Sequence, residues 1–399
     1  MFRWVYKPSK TTHMSLFSEN KTKSTLEKPK EHHCLERIRH LIQANITFPE
    51  HKRVKTDDIV RATIALAAER RSISGFCREN EGLPSHTACL ATLHSLDMDE
   101  MRQQSSIMLK EAGYRVITPG QKYTFAIDKT GDPYYGQRNL ESGSYTVGGK
   151  RKASTNYFHT YLTLSIIDKD RHLTLCVIPW QKGMKNLDAI CQCIELIKKL
   201  NLKIRCLCLD REFYSAEIFA FLQQTRIPHI VPVKEHGAEL KKNLQGKKSN
   251  TFQYTLNKDS DAPVTVTITD CLVYMKGRKG KHGIQHHAFV VYGISSSPRT
   301  IREIYKHRFA IESAYRLRNT TRPRTSTRDP GIRYYYTLVA FILQNWWIAL
   351  KWRYFAKTQP GPKVIEGNRF PLAHFARLVM EEVIMRYRAQ KILDIAISG

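Results

Sequence analysis

The sequence predicts an α/β protein in which a mixed sheet is flanked by helices, interrupted by a β-rich insertion and preceded by a helical segment. Three observations carry this. Lys203 to Ser215 reads KIRCLCLDREFYS, an apolar run of strand length that ends on Asp210 and passes into helix-starting chemistry. Before it come three β-rich runs and then a helical spacing of Leu187, Ile190, Ile194 and Ile197. After it, TFQYTLN, PVTVTITDCLVYM and HAFVVYGI alternate as partly exposed strands do, and the pattern then turns helical.

Taken in order, residues 1–30 are polar and basic with scattered Pro, the composition of a flexible basic arm. Residues 31–117 read as a helical, DNA-binding domain. Within it Ile59, Ala62, Ile64 and Ala67 mark one helix, and Gly82 and Pro84 separate two short ones in the manner of a helix-turn-helix whose second helix begins near Ser85. Tyr123 to Ile127 is a short strand ending on Asp128, and Tyr157 to Ile167 with His172 to Trp180 form a hairpin around DKDR. The strand into Asp210 follows, then a helix from Ala216 to Gln224 capped by Ser215, then a strand from His229 to Val233. Residues 235–298 are the β-rich insertion. Beyond it lie an Arg-rich helix from Ile301 to Arg318, an apolar helix over Tyr334 to Phe355 and an amphipathic helix from Leu372 to about Ile392.

Composition narrows the partners. The 399 residues carry 64 Lys and Arg against 36 Asp and Glu, a formal charge of +28, so a polyanion is the first partner to expect. Nine Cys occur singly or as C-x-C pairs in apolar runs, without the C-x-x-C spacing of a zinc site, and read as reduced core thiols of a cytosolic protein. The Tyr334 to Phe355 stretch approaches the length of a membrane span, but Gln344 and Asn345 near its centre would be costly in hydrocarbon and are ordinary in a helix buried against a sheet. No membrane association is expected.

Polar side chains at the carboxyl ends of strands in an open α/β sheet face the crevice where ligands bind. Asp210 has that position, although a turn or capping carboxylate fits it equally when the strand is read alone. The segment REIYKHRFAIESAYRLRN places Tyr305, Arg308, Glu312, Tyr315 and Asn319 on one helical face. An Arg and a Glu on such a face need partners, either a metal or phosphate or a lacing of surface ion pairs.

These stretches together resemble the DDE transposases of prokaryotic insertion sequences. The resemblance covers roughly Tyr123 to Trp352 and rests on AIDKTGDPYYG, on LDREFYS and on Y-x-x-R-x-x-x-E over Tyr305, Arg308 and Glu312, with RTSTR and the helix containing NWW in support. It implies a ribonuclease-H-like catalytic domain over residues 118–234, completed by helices over 299–356, with residues 357–399 as a C-terminal helical region. It makes Asp128, Asp210 and Glu312 the catalytic, metal-binding carboxylates. Asp132 competes with Asp128, which is preferred because it directly ends the strand. Where the family often has a Lys seven residues after the Glu, this chain has Asn319, with Arg318 adjacent as a substitute.

The implied activity is metal-dependent DNA cleavage at transposon ends and strand transfer into target DNA. Two Mg²⁺ or Mn²⁺ ions suit three carboxylates and phosphodiester chemistry. Tyr305, Arg308, Arg318, Arg324 and Arg328 would contact DNA, and the chain would act as a homodimer assembled on it in the cytoplasm, at the nucleoid. Two alternatives keep the fold and change the activity: a nuclease without strand transfer, and a transposase-derived DNA-binding protein that no longer catalyses.

Overall fold

The computed structural model describes residues 34–49, 54–80, 84–137, 144–169, 171–235, 237–258, 262–277, 283–357, 364–365 and 369–398. The basic arm of residues 1–30 lies outside them.

One mixed sheet organises the chain. Strands β1 (Lys122–Pro133), β3 (Thr155–Asp168) and β4 (Arg171–Pro179) are mutually antiparallel neighbours, with β3 in the middle. On its other side β1 pairs in parallel with β5 (Lys203–Leu209), and β5 in parallel with β6 (His229–Pro232). The order β4-β3-β1-β5-β6, antiparallel then parallel, is the ribonuclease-H-like arrangement. A parallel neighbour needs a crossover, and the helix α6 (Asn186–Lys199) supplies it between β4 and β5, as α7 (Ala216–Gln224) does between β5 and β6. Ser215 caps α7 by accepting from the Ile218 amide at 3.4 Å.

Two features of the sheet differ from the sequence expectation. The stretch TVGGKRK forms a further strand, β2 (Thr146–Lys152), on the outer half of β3; its Gly and Lys content hides any strand pattern. The insertion also does not stand apart. After a short helix α8 (Ala238–Asn243), its strands β7 (Asn250–Leu256), β8 (Val264–Met275) and β9 (Gly283–Tyr292) extend the same sheet, because β9 pairs antiparallel with β6.

The two faces of the sheet are chemically distinct. Phe125, Ile127, Leu162, Leu164, Leu207 and Leu209 face α6 and α7 and form a large aliphatic core. The other face carries small residues, Ala126, Cys206 and Cys208, which let α9 (Pro298–Lys306) and α10 (Phe309–Thr320) come close through Ile301, Tyr305 and Ile311. By the two-residue period of a strand, Asp128 and Asp132 lie on the same face as Ala126. The single Arg-rich helix expected from sequence is thus two. Arg308 stands at the junction, where tightened bonds run from Arg308 N to Tyr305 O (2.9 Å) and from Ile311 N to Arg308 O (2.9 Å).

The apolar helix α11 (Pro330–Tyr354) runs between the sheet and the amino-terminal helices. α1 (Cys34–Gln43), α2 (Thr56–Glu69), α3 (Ile73–Glu79), α4 (His86–His94) and α5 (Met98–Ala112) share one core with its Ile332 to Leu343 stretch and with α12 (Leu372–Ser398). The polar pair at its centre is hydrogen-bonded. The Asn345 amide donates to Leu109 O (2.9 Å) and Thr174 O (2.7 Å) and accepts from Thr174 N (3.1 Å), while Gln344 donates to Ala314 O (3.0 Å). Among the described residues no helix is long and apolar enough to cross a membrane. The described cysteines are all free, and most are buried.

Candidate functional site

The site forms where the parallel pairing of β1 and β5 ends. Ile127 is opposite Leu209, so the next residues, Asp128 and Asp210, emerge side by side. Here β1 differs from the sequence reading: it continues to Pro133, so Asp128 lies within the strand and marks the end of its parallel partner rather than its own end. Asp210 leaves β5 into the 3₁₀ turn Arg211–Phe213.

Glu312 arrives on the first turn of α10, and Arg308 joins the three acids. Its guanidinium lies 3.2 Å from Asp128 Oδ2, 3.5 Å from Asp210 Oδ1 and 4.0 Å from Glu312 Oε1. The side chains grade from interior to surface: Arg308 is 9% exposed, Asp128 13%, Asp210 34% and Glu312 49%. The sequence-predicted triad therefore comes together around a cation that the chain itself provides.

Tyr305 orients this arrangement from below. It is buried, its hydroxyl donates to Leu209 O at 3.3 Å immediately before Asp210, and its ring lies 5.4 Å from the Arg308 guanidinium carbon. Tyr315, on the next turn, meets the Thr163 hydroxyl at 2.7 Å, which ties α10 to β3 opposite Asp128. Tyr305 and Arg308, expected as DNA contacts, lie here against Leu209 O and the three acids.

Electrostatics follow from this burial. Asp128 is pushed up to about 7: burial disfavours its charge, the nearby Asp210 adds to that, and Arg308 opposes it without prevailing. For Arg308 burial works against the charge, but Tyr305, Asp128, Asp210 and Glu312 together raise its proton affinity. A buried carboxylate with a raised proton affinity, beside two other acids, marks a candidate functional site.

Three hard oxygen donors from separate elements fit Mg²⁺ or Mn²⁺ by their chemistry. Among the described residues no three His, Cys, Asp or Glu side chains are drawn close enough to enclose an ion without rearrangement, and the Arg308 guanidinium stands among the acids as the cation.

Asp132 belongs to a different cluster. It is 2% exposed, accepts from Arg318 Nη2 at 2.7 Å and pairs also with Arg322. Arg318 is 1% exposed and donates to the Asn319 side chain as well, at 3.0 Å. Arg318, expected as a DNA contact, thus lies six residues after Glu312 with its side chain buried against Asp132. Arg324 and Arg328 are exposed on the loop before α11, where Arg324 N donates to Arg71 O (2.9 Å) and so attaches this loop to the start of α3. Arg322 and Arg333 were not singled out from sequence; an excess of arginine over acid in RNTTRPRTSTRDPGIR is the signal that marks them.

In the amino-terminal region the two short helices expected around Pro84 are α3 and α4, and Ser85 caps α4 by accepting from Ala88 N at 3.3 Å.

A family model for the transposase DDE domain matches residues 119–330. No curated protein matches the sequence. Among solved structures the chain is similar to the cryo-EM structure of a piggyBac transposase synaptic complex with hairpin DNA, with TM-score 0.58 and 12% identity over 92% of this chain and 84% of that one. At that identity the likeness is one of fold.

Proposed function

Since the chain belongs to the family of transposases with a DDE domain, whose activity is DNA cleavage and strand transfer, we propose that Asp128, Asp210 and Glu312 are its catalytic carboxylates. The observation that carries this is the convergence of the three, from β1, the end of β5 and α10, on the single guanidinium of Arg308. The same residues are the ones that would hold two Mg²⁺ or Mn²⁺ ions. Bound there, the ions would lower the pKa of an attacking oxygen and offset charge on the leaving one.

The chain's own residues set the geometry and protonation. Burial pushes Asp128 up to about 7, so near neutral pH it is poised between its protonated and ionised forms. Tyr305 holds the Leu209 carbonyl and thereby the backbone from which Asp210 projects. Arg308 balances the acids until they are occupied, and its guanidinium fork then suits a phosphate oxygen. In cleavage a water oxygen bonds to phosphorus and the bond to the 3′ oxygen breaks; in strand transfer that 3′ hydroxyl bonds to a target phosphorus and the target's 3′ oxygen leaves.

The partner is double-stranded DNA, both transposon end and target. A formal charge of +28 supports a sequence-independent grip on its backbone. We infer a homodimer on DNA, for which the likeness to a transposase resolved as a synaptic complex is the support, and a cytoplasmic, nucleoid-associated location. Incubating the protein with end-bearing DNA and Mg²⁺ or Mn²⁺ tests the reading. Cleaved ends and joined products are expected from the wild type and neither from Asp128→Asn; cleavage without joining would leave a nuclease.

A further inference from the structure

Beside the acids lies a second charged cluster with the opposite balance. Asp132 is approached by Arg318 and Arg322, and Arg333 stands close enough to act on its charge. Arg333 donates Nε to Thr327 O at 2.6 Å and has no ion pair among the described residues. The other local acid, Asp329, caps α11 through Ile332 N (2.7 Å) and binds His94 (3.0 Å). Three arginines therefore surround one carboxylate, two of them paired with it, and Arg324 and Arg328 add two more charges on the adjoining loop.

Two further observations mark the cluster as suited to an anion. Arg318, 1% exposed, keeps Nε and Nη1 without an acceptor, and the ring nitrogen Nε2 of the buried His159 is likewise unpartnered. Buried guanidinium donors normally find oxygen partners, so idle ones, here beside the Tyr315 and Phe341 rings, mark where a further acceptor would be stabilised. Arg333, moreover, is depressed in proton affinity, first by burial, although Tyr161 and Asp132 pull the other way and Arg322 adds repulsion. Arg322 keeps 24% of its side chain exposed, which leaves the cluster open to solvent.

We propose that Arg322 and Arg333, seated on the buried Asp132–Arg318 pair, form a phosphate-binding pocket for the backbone of the DNA strand held in the active site. This rests on the transposase reading for the identity of the ligand, though not for the pocket's taste for phosphate. Asp132 follows Asp128 by four residues on the same face of β1, roughly 13 Å at the rise of a strand. At about 3.4 Å of helix axis per phosphate on one strand, that is roughly four nucleotides from the bond to be cut. α10 runs alongside, carrying Glu312 at one end and Arg318 at the other. The pocket would thus set the register of the strand against the acids, and Arg322 and Arg333 act as positioning residues.

The test uses the full chain and two readouts. Inorganic phosphate, exchanged for chloride at constant ionic strength, is expected to raise the melting temperature of the wild type but not of Arg322→Gln or Arg333→Gln. Each substitution is also expected to lower the slope of log DNA affinity against log salt by roughly 0.9. Arg322→Lys keeps the charge and should retain the slope even where folding is weakened. Asp132→Asn, if folded, should bind phosphate at least as tightly, since it removes the competing anion. An unchanged salt slope in folded Arg322→Gln and Arg333→Gln, with only a lower melting temperature, overturns the proposal and leaves an internal staple. The outcome is separable from that of the catalytic reading, because Asp128→Asn bears on cleavage and leaves both of these readouts in place.

Discussion

Asp128 and Asp132 stand four residues apart on one face of β1 and are held in opposite electrostatic states. Asp128 is raised to about 7 by burial next to Asp210. For Asp132 burial pulls upward too, but Arg318 and Arg322 overcome it and hold the carboxyl below its ordinary value. One has its proton affinity raised beside other acids and the other is held ionised by two arginines, so substitution should part them cleanly.

Asp128→Asn, Asp210→Asn and Glu312→Gln are each expected to reduce cleavage of transposon-end DNA by more than the roughly 10- to 100-fold typical of a group that only supports a metal ligand, with DNA affinity preserved. Asp132→Asn is expected instead to unsettle the fold by about 3–5 kcal/mol, the cost of leaving a buried arginine unpaired. Gel assays of cleavage beside urea unfolding check this. A stable Asp132→Asn protein with no cleavage, beside an active Asp128→Asn protein, would reverse the assignment.

Replacing Arg308 with Gln removes the one cation among three acids. Without divalent metal the variant should melt lower than the wild type, and Mn²⁺ should raise its melting temperature by more than it raises that of the wild type. Calorimetry with and without Mn²⁺ measures both. An equal Mn²⁺ effect on the two proteins would show that the guanidinium and the metal do not compete.

Asn345→Leu is isosteric enough to fit, yet it strands Leu109 O and the Thr174 backbone groups between α5, β4 and α11. Each orphaned buried group costs about 1–3 kcal/mol, so a loss of several kcal/mol is expected in denaturant titrations. On fractionation the protein should be released by high salt and not retained with membranes.

Two buried histidines, His159 and His229, are depressed to about 4, both chiefly by burial. Below the ordinary pKa of about 6.5 the unfolded chain takes up protons that the folded one refuses, so stability falls as pH drops from about 6.5 towards 4. The contribution is on the order of 3 kcal/mol per residue. His229, stacked between Phe219 and Tyr292, offers the cleaner test: His229→Phe should flatten this part of a stability-against-pH curve.

Arg324→Ala and Arg328→Ala should each lower the salt slope of DNA binding by roughly 0.9 and leave melting temperature nearly unchanged. Both side chains are exposed. A lower melting temperature with an unchanged slope would point to a structural staple.

Much of this was legible from local pattern. The strand into Asp210 and the capping Ser215 announce themselves within a dozen residues, because strand burial and helix capping are short-range effects. The resemblance supplied Asp128 and Glu312, which local pattern leaves ambiguous. What escaped was long-range. That Arg308 would sit among the acids, and Arg318 turn to Asp132, depends on the break between α9 and α10, which no apolar period marks. That β9 would join β6 depends on pairing partners chosen across the insertion, and a strand's sequence does not name its neighbour.

That last pairing bears on how the chain assembles. Asp128 and Asp210 are brought together by adjacent parallel strands, but Glu312 can reach them only after the chain has made its excursion through β7 and β8 and come back along β9. Contacts between residues so far apart in sequence are slow to form, since the entropy of closing the intervening segment is lost before any pairing repays it. Glu312 is therefore expected to join Asp128 and Asp210 later than those two join each other, once the chain has returned along β9.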